Sequence, residues 1–278
     1  MKLATLRTPT GTIAVHVTDD GVGVEIPGIA DVAALLRHPD YTTLRNTGTR
    51  THDLDGANWA PVVPRPGKII CVGLNYRKHI TEMGRDIPQY PTLFAKFPET
   101  ITGPYDPIEV PDYAAHALDW EGELAVIIGK TIRRADHATA TQAIAGYSVL
   151  NDLTMRDYQY RTGEWLQGKT FEASTPMGPV MVTPDEFGFG DLRTTVNGEI
   201  KQHASTKDLV FHPARLVEYI SAIITLNPGD VIATGTPGGV GHARTPAEYL
   251  SHGHTVTTEI HGIGQLTNTI TVLPTQPT

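Results

Sequence analysis

Short β-branched or alternating runs, each stopped within a few residues by Gly, Pro or Asn, recur along the chain and leave little room for long helices. Lys68 to Val72, Glu121 to Ile128, Ala145 to Leu150, Val180 to Val182, Leu192 to Val196, Asp230 to Thr234 and Thr255 to Ile260 have this form, the pattern of strands bounded by turns. Asn197-Gly198 is a strong hairpin signal between Thr194-Thr-Val196 and Glu199-Ile-Lys201, because a tight hairpin turn needs residues that tolerate positive φ. With 27 Gly and 21 Pro in 278 residues, turns exceed the usual share, and a helical bundle is disfavoured. Helical spacing is confined chiefly to Thr139–Ala145 and to Pro213–Ile224, where Leu216, Ile220 and Ile223 recur on one side. There is no internal repeat and no regular βαβ alternation, which argues against Rossmann and TIM architectures. The expected class is mainly β, of the α+β kind.

Residues 1–62 read as a small N-terminal α/β domain and residues 63–278 as the main one. Leu3 to Thr8, Thr12 to Thr18 and Val22 to Ile26 are β-like runs divided by Pro9-Thr-Gly11 and Asp19-Asp-Gly21. A helix is predicted at Ile29 to Arg37, with Asp31 near its start. Pro61-Val-Val-Pro-Arg-Pro-Gly67 then breaks periodicity three times and reads as a linker.

Charge and cysteine content exclude several functions. The formal net charge is −8, from 22 Lys+Arg and 30 Asp+Glu, with no basic tract, so the footprint of a nucleic-acid binder is missing. The single cysteine, Cys71, excludes an intramolecular disulfide and a thiolate zinc cluster and suits a reducing compartment. It lies in an apolar run, where a buried small hydrophobe is the plainer reading than a nucleophile. No segment approaches a membrane span or a secretory signal. The expectation is a cytoplasmic protein whose partner is a small molecule, with neither nucleic acid nor membrane involved.

Chemistry concentrates in a few segments. In Asp119-Trp-Glu-Gly-Glu-Leu-Ala-Val-Ile-Ile-Gly129, a strand's period of two puts Glu121 and Glu123 on one face beside an apolar run. Two such carboxylates repel and resist desolvation unless something neutralises them. Asp152, ending the next apolar strand, offers a third oxygen ligand, and three carboxylates without cysteine favour Mg²⁺ or Mn²⁺. By spacing alone, Glu-x-Glu is also an ordinary solvated strand face. His79 and Glu82 sit three apart, so on a helical turn the carboxylate can orient the imidazole as a general base; an incidental surface pair has the same spacing. Lys169, in Gln167-Gly-Lys-Thr-Phe171, reads either as a solvated loop lysine or as a cation for a carboxylate or developing enolate. It precedes Thr175-Pro-Met-Gly-Pro179, which reads as turn-rich. The loop Thr234-Gly-Thr-Pro-Gly-Gly-Val-Gly241 lacks the spacing of phosphate-binding motifs and reads as a tight substrate-facing turn offering Gly235 and Thr236.

Taken together, these segments resemble the fumarylacetoacetate hydrolase family. The match is in ordered motifs across about Arg65 to Thr269: Gly73-Leu-Asn-Tyr76 with His79 and Glu82; Pro88, Pro91, Phe94 and Lys96; Asp119-Trp-Glu-Gly-Glu-Leu124; Asn151-Asp-Leu-Thr-Met-Arg-Asp-Tyr-Gln159; Lys169-Thr-Phe171 with Met177-Gly-Pro179; and Gly229 to Gly241. The resemblance implies a mixed β-roll catalytic domain, usually homodimeric, holding Mg²⁺ or Mn²⁺ through Glu121, Glu123 and Asp152. It implies catalytic roles for His79, Glu82 and Lys169, with the His-Glu pair on a lid segment, and substrate contacts from Arg156, Gln159, Gly235, Thr236 and Lys96. The position seven before His79 is Val72, where longer members carry a further acidic ligand, so the chain resembles the short bacterial type. The first 60 residues carry no family signature.

Such enzymes act on 2-oxo acids and acylpyruvates. The presence of both His79 and Glu82 favours hydrolysis of a C–C bond in a fumarylpyruvate-like acylpyruvate, as in aromatic-compound catabolism, with the metal stabilising the enolate that leaves. Decarboxylation of oxaloacetate-like acids and isomerisation of a 2-hydroxyhepta-2,4-diene-1,7-dioate proceed at the same kind of site through the same kind of enolate. A non-catalytic metal-dependent 2-oxo acid binding protein would need a lost base or ligand, and none is lost.

Overall fold

The structure, a computed structural model, describes residues 1–82, 84 and 86–275, with Glu82 described by its backbone alone. The leading strands are β1 (Lys2–Thr8), β2 (Gly11–Val17), β3 (Val22–Glu25) and β4 (Thr51–Asp53). There follow β5 (Ile69–Gly73), β6 (Thr92–Lys96), β7 (Ile101–Thr102), β8 (Ile108–Pro111), β9 (Leu118–Asp119) and β10 (Gly122–Ile128). The remainder are β11 (Ile144–Asn151), β12 (Thr154–Met155), β13 (Thr175–Val182), β14 (Asp191–Val196), β15 (Glu199–Ser205), β16 (Val231–Ala233), β17 (Thr255–Ile260) and β18 (Gly264–Leu273). The α-helices are short: α1 (Val32–Arg37), α2 (Tyr41–Leu44), α3 (Arg77–Glu82), α4 (His137–Gln142), α5 (Arg156–Gln159), α6 (Leu166–Lys169) and α7 (Pro213–Ile223). No described helix is long and apolar enough to cross a membrane.

The strands form a large mixed sheet in the order β4-β3-β2-β1-β13-β11-β10-β16-β5-β6, with β7 added beside β13. A second sheet, β15-β14-β17-β18-β8, packs on it, and β9 and β12 form a separate ribbon. Most neighbours are antiparallel; β5 with β16, β7 with β13 and β8 with β18 are parallel. This is the mainly β class expected from the turn-bounded runs, with the mixed sheet that the family resemblance implies.

The central strand β10 explains how the site is framed. Ala125 and Ile127 pack into a core with Leu35 of α1, Ile69 and Val231. On the other face Leu124 meets the second sheet through Leu192 and Leu266, while Val126 and Ile128 meet α7 through Leu216 and Ile220. A strand buried on both faces must be apolar throughout, and this is why the run from Leu124 to Ile128 does not alternate. Gly122 is the exception by size: a Cβ there would meet the Thr194 hydroxyl at 2.4 Å.

Several expectations need correction. Thr175-Pro-Met-Gly-Pro179 is no turn but the first half of β13, buried throughout; its pairing with β11 shifts register between Tyr147 and Val149, which accommodates residues that interrupt a ladder. The helix expected from Ile29 starts at Val32, because the Asp31 carboxylate accepts the Ala34 N–H at 2.6 Å and caps it there. Likewise Asp136 caps α4, shifting that helix to His137–Gln142 and releasing Ala145 to β11. The segment from Pro61 to Gly67 carries no regular element, but Val62 and Val63 are buried in the same core as Leu3 and Leu35. Cys71 is likewise buried there.

Candidate active site

Two adjacent antiparallel strands deliver the acids. Glu121 precedes β10 and Glu123 lies within it, on the face shared by Ala125 and Ile127, while Asp152 follows the end of β11. The Glu121 N–H donates to the Asn151 side chain at 2.9 Å and the Asp152 N–H to the Glu121 carbonyl at 2.8 Å, locking the two ends together. Glu121, Glu123 and Asp152 are all buried, and a ligand oxygen from each lies within 4.8 Å of the others. The sequence-predicted triad is therefore brought together in space.

Three buried cations face these acids. Lys169 Nζ lies 2.6 Å from Glu121 Oε2 and 2.8 Å from Asp152 Oδ2. Lys96 Nζ lies 2.6 Å from Asp152 Oδ1. Arg156 bridges Glu121 at 2.7 Å and Asp119 at 2.8 Å, and its Nη1 donates to Gln159 at 2.8 Å. Counting Asp119, four buried carboxylates meet three buried cations. Burial, then the negative charges of Asp152 and Glu121, push the Glu123 carboxyl well above the usual carboxylate range. Burial also works against ionised Asp152, yet Lys169 and Lys96 outweigh it and hold that carboxyl low. Burial disfavours the Lys169 ammonium in turn, but Asp152 and Glu121 keep it above the ordinary lysine value.

This donor set suits a hard divalent cation: three carboxylates, no sulfur, and a net negative charge that ionisation of Glu123 would leave uncompensated. Glu123 has no ion pair among the described residues; it accepts one hydrogen bond, from the Gly235 N–H at 2.7 Å, and otherwise feels only the positive charge of Lys169 at longer range. A dication would turn the local balance slightly positive, which favours an anionic substrate.

The Gly-rich loop is placed by two residues to which spacing assigns no role. The Asp119 carboxylate accepts the N–H groups of Gly241 and His242 at 2.7 and 3.0 Å. Gln202, on β15, donates to the Thr236 hydroxyl at 2.8 Å and the Pro237 carbonyl at 3.0 Å. Gly235, at φ +99°, is required: a Cβ would meet the Val72 carbonyl at 2.7 Å. Asp119 stands beside the Glu-x-Glu pair and is visible in the motif; Gln202 sits in an alternating hairpin strand and gives no signal of its role.

A cavity of about 290 Å³ opens on this cluster. Its polar end is made by Glu121, Glu123, Arg156, Gln159, Lys169 and Thr236, and Val72, Leu74, Phe94 and Trp165 form an apolar wall. Phe94 and Trp165 meet edge to face at 5.4 Å. His79, on α3, lines the cavity too. Glu82 ends that helix, but its side chain lies outside the described residues. Lys96 differs from the substrate-contact role expected of it in being fully buried, with its ammonium committed to Asp152.

Residues 68–271 match the family described as fumarylacetoacetate (FAA) hydrolase C-terminal. The chain belongs to the fumarylacetoacetate hydrolase family. Among its relatives in the family is oxaloacetate tautomerase YisK of Bacillus subtilis, 42% identical over 214 residues, 75% of this chain and 71% of that protein. The structure of fumarylacetoacetate hydrolase from Exiguobacterium antarcticum superposes with a TM-score of 0.85 at 34% identity, covering 98% of this chain and all of that one. That of 5-carboxymethyl-2-hydroxymuconate delta-isomerase from Mycobacterium smegmatis gives 0.82 at 34% identity, with the same coverage. The fumarylacetoacetate hydrolase fold thus extends over nearly the whole chain, including residues 1–62, which carry no motif of the family.

Proposed function

We propose that this fumarylacetoacetate hydrolase family member is a divalent-metal-dependent enzyme that moves a proton between the enol and keto forms of a 2-oxo dicarboxylic acid of the oxaloacetate type. The observation that carries the reading is the buried cluster of four carboxylates and three cations at the end of a cavity whose wall includes His79. The names of two relatives, an oxaloacetate tautomerase and a delta-isomerase, support the same class of proton movement.

Glu121, Glu123 and Asp152 would hold Mg²⁺ or Mn²⁺, which supplies Lewis-acid polarisation of a 2-oxo oxygen. The remaining work falls to this chain's own side chains. Arg156 and Gln159, joined to each other, present donors to a substrate carboxylate. Lys169, held protonated by its neighbours, donates to the oxygen that gains charge as C3 of the acid loses its proton. Thr236 accepts from Gln202, which leaves its own O–H to donate towards the cavity. His79 takes the C3 proton in one direction and returns it in the other.

A second reading is hydrolysis of a fumarylpyruvate-like acylpyruvate. It is favoured by the apolar wall of Val72, Leu74, Phe94 and Trp165, which offers a surface to the acyl part of such a substrate. There His79 would take a proton from water, the hydroxide adds to the distal carbonyl, and the C–C bond breaks to release the pyruvate enolate.

One assay separates the two. Purified protein with Mn²⁺ is mixed with enol-oxaloacetate and with acylpyruvates, following enol absorbance, deuterium uptake at C3 and the products formed. Faster conversion of enol- to keto-oxaloacetate than with Mn²⁺ alone, without loss of carbon, supports the tautomerase reading. Cleavage products from an acylpyruvate, with no effect on oxaloacetate, would replace it by the second.

A further inference from the structure

α3 carries His79, yet little in its own sequence holds it in place. It is six residues long, a length at which a helix is marginal by itself. Of its described side chains Ile80 alone is buried. The residue before it is Tyr76, whose hydroxyl sits at the far end of a ring and makes no hydrogen bond among the described residues, so it does not cap the N–H groups that a first turn leaves open. The chain enters α3 through Leu74, at φ +56°. A bulky residue adopts that conformation only where its surroundings impose it.

Those surroundings are residues 208–211, which follow β15 of the second sheet. The Lys78 N–H, in the first turn of α3, donates to Asp208 Oδ2 at 2.9 Å across 130 residues of chain. Next to that contact Tyr76 and Leu209 pair as an antiparallel bridge, and the Val210 N–H donates to the Asn75 carbonyl at 2.8 Å. The buried Asn75 side chain accepts the Phe211 N–H at 2.7 Å and donates to the carbonyls of Phe211 and Thr234 at 3.0 and 2.8 Å. Asp208 is itself placed firmly. Two residues before it, Thr206 donates its N–H to the Gly190 carbonyl at 2.9 Å and accepts the Gly190 N–H on its hydroxyl at 3.0 Å. Asn75 thus secures the loop that leads into α3, whereas Asp208 reaches the helix, at the residue before His79.

We infer that Asp208 is the positioning residue of the candidate general base: by capping α3 from the second sheet it fixes where the His79 imidazole stands in the active-site cavity. The inference rests on the reading of His79 as the group that moves the C3 proton. His79 lines the active-site cavity and Asp208 does not, so Asp208 acts through the helix and not on the substrate. A cap satisfies an N–H that has no partner within the helix, and here the acceptor comes from a different sheet. A shift of a general base by an ångström is enough to slow proton transfer, which makes the cap a kinetic matter as well as a local structural one.

The test compares Asp208→Ala, which removes the acceptor, with Asp208→Asn, which keeps one, in the full chain loaded with Mn²⁺. In Asp208→Ala, amide hydrogen exchange in the peptide spanning 74–82 is expected to quicken about tenfold, the size of a lost cap. Carbethoxylation of His79 by diethyl pyrocarbonate, read by mass spectrometry, should quicken with it. With oxaloacetate, kcat is expected to fall about tenfold while KM stays within about twofold, the split of a displaced base and not of a lost substrate contact. Asp208→Asn should bring all of these back to within about twofold of the unsubstituted protein, because Asn caps about as well as Asp. Unchanged exchange and His79 reactivity in Asp208→Ala, faster exchange throughout the chain, a raised KM with unchanged kcat, or an Asn variant as impaired as the Ala one overturns the inference. If the unsubstituted protein does not tautomerise oxaloacetate, but α3 and His79 loosen in Asp208→Ala and recover in Asp208→Asn, the proposed reaction fails and the positioning stands. If oxaloacetate is tautomerised and Asp208→Ala leaves α3 and His79 as they were, the reaction stands and the positioning fails.

Discussion

Lys96 and Asp152, separated by 56 residues in the chain, meet in a fully buried ion pair with Nζ 2.6 Å from Oδ1. Removing one member of a buried pair outright costs about 3–5 kcal/mol; here Lys169 still pairs Asp152 Oδ2 at 2.8 Å, so losing Lys96 takes away only the compensation of Oδ1 and costs less than that. Lys96→Met should therefore lower the urea midpoint in metal-free protein. Because a dication supplies charge to the same carboxylate, Mn²⁺ should restore more stability to the variant than it adds to the unsubstituted protein. Equal stabilisation of both by Mn²⁺ would count against Asp152 as a ligand.

The raised Glu123 carboxyl, destabilised as an anion by burial and by the charges of Asp152 and Glu121, gives metal binding a defined pH dependence. A ligand carboxylate must shed its proton, so Mn²⁺ affinity should increase as pH rises through the elevated Glu123 value, and binding should release a proton. Calorimetry in buffers of different ionisation enthalpy measures this directly. Glu123→Gln should abolish the proton release and most of the affinity; release that persists in the variant assigns it to another group.

Asp106 ties β1 to the turn before β8, its Oδ1 accepting from Arg7 Nη1 at 2.9 Å and its Oδ2 from the Gly103 N–H at 2.7 Å. Burial pushes this carboxyl up, but Arg7 and the Gly103 N–H outweigh it, and its value is lowered from 3.8. A carboxyl lowered by folding stabilises the protein above its unfolded value, and the benefit is lost as pH falls through the lower folded one. Asp106→Asn should thus reduce Tm at pH 7, by an amount corresponding to no more than about 1 kcal/mol for a pair whose side chains are 33% and 28% exposed. The gap between the two proteins should close below the ordinary carboxylate range; a constant gap would contradict the ionic account.

Gly168 is where α6 presses on α5: an added Cβ would lie 2.5 Å from the Met155 carbonyl and 2.5 Å from the Gln159 nitrogen. These are backbone atoms and cannot swing aside. Gly168→Ala should cost about 1–3 kcal/mol as overpacking and lower turnover, because Lys169 and Gln159 are displaced together. Thermal unfolding and steady-state kinetics on the same preparation check both halves.

Replacing His79 tests the division of labour within the site. His79→Ala should lower turnover by about 10²–10⁴, the usual worth of a general base, while Mn²⁺ binding stays intact because the imidazole is not among the grouped carboxylate ligands. Loss of the metal along with activity would defeat that assignment.

The sequence makes legible what depends on neighbours along the chain. Strand β17 from Thr255 to Ile260, the Asn197-Gly198 hairpin and the shared face of Glu121 and Glu123 all follow from period and turn chemistry. Features set by distant packing are harder to see. β13 is hidden because Pro176, Gly178 and Pro179 interrupt the pattern of a strand. β18, the longest described strand, escapes the pattern because Asn268 stands at one of its buried positions, its side-chain amide N–H groups donating to the carbonyls of Gly103 and Asp106. Likewise, the enclosure of Lys96 by Asp152 and the hold of Gln202 on Thr236 join strands that only the sheet order brings together. Spacing carries no trace of them.

The pairing of β1 with β13 runs through Lys2 with Val182 and Leu3 with Met181. That junction gives the first 60 residues a protective duty. β13 is buried along its whole length, and without β1 beside it one of its edges would stand open as a template for strands of other chains. A chain begun at residue 63 should therefore self-associate, visibly by light scattering, even with every candidate catalytic group in place. In this respect the N-terminal strands serve the protein as an in-built guard against its own aggregation.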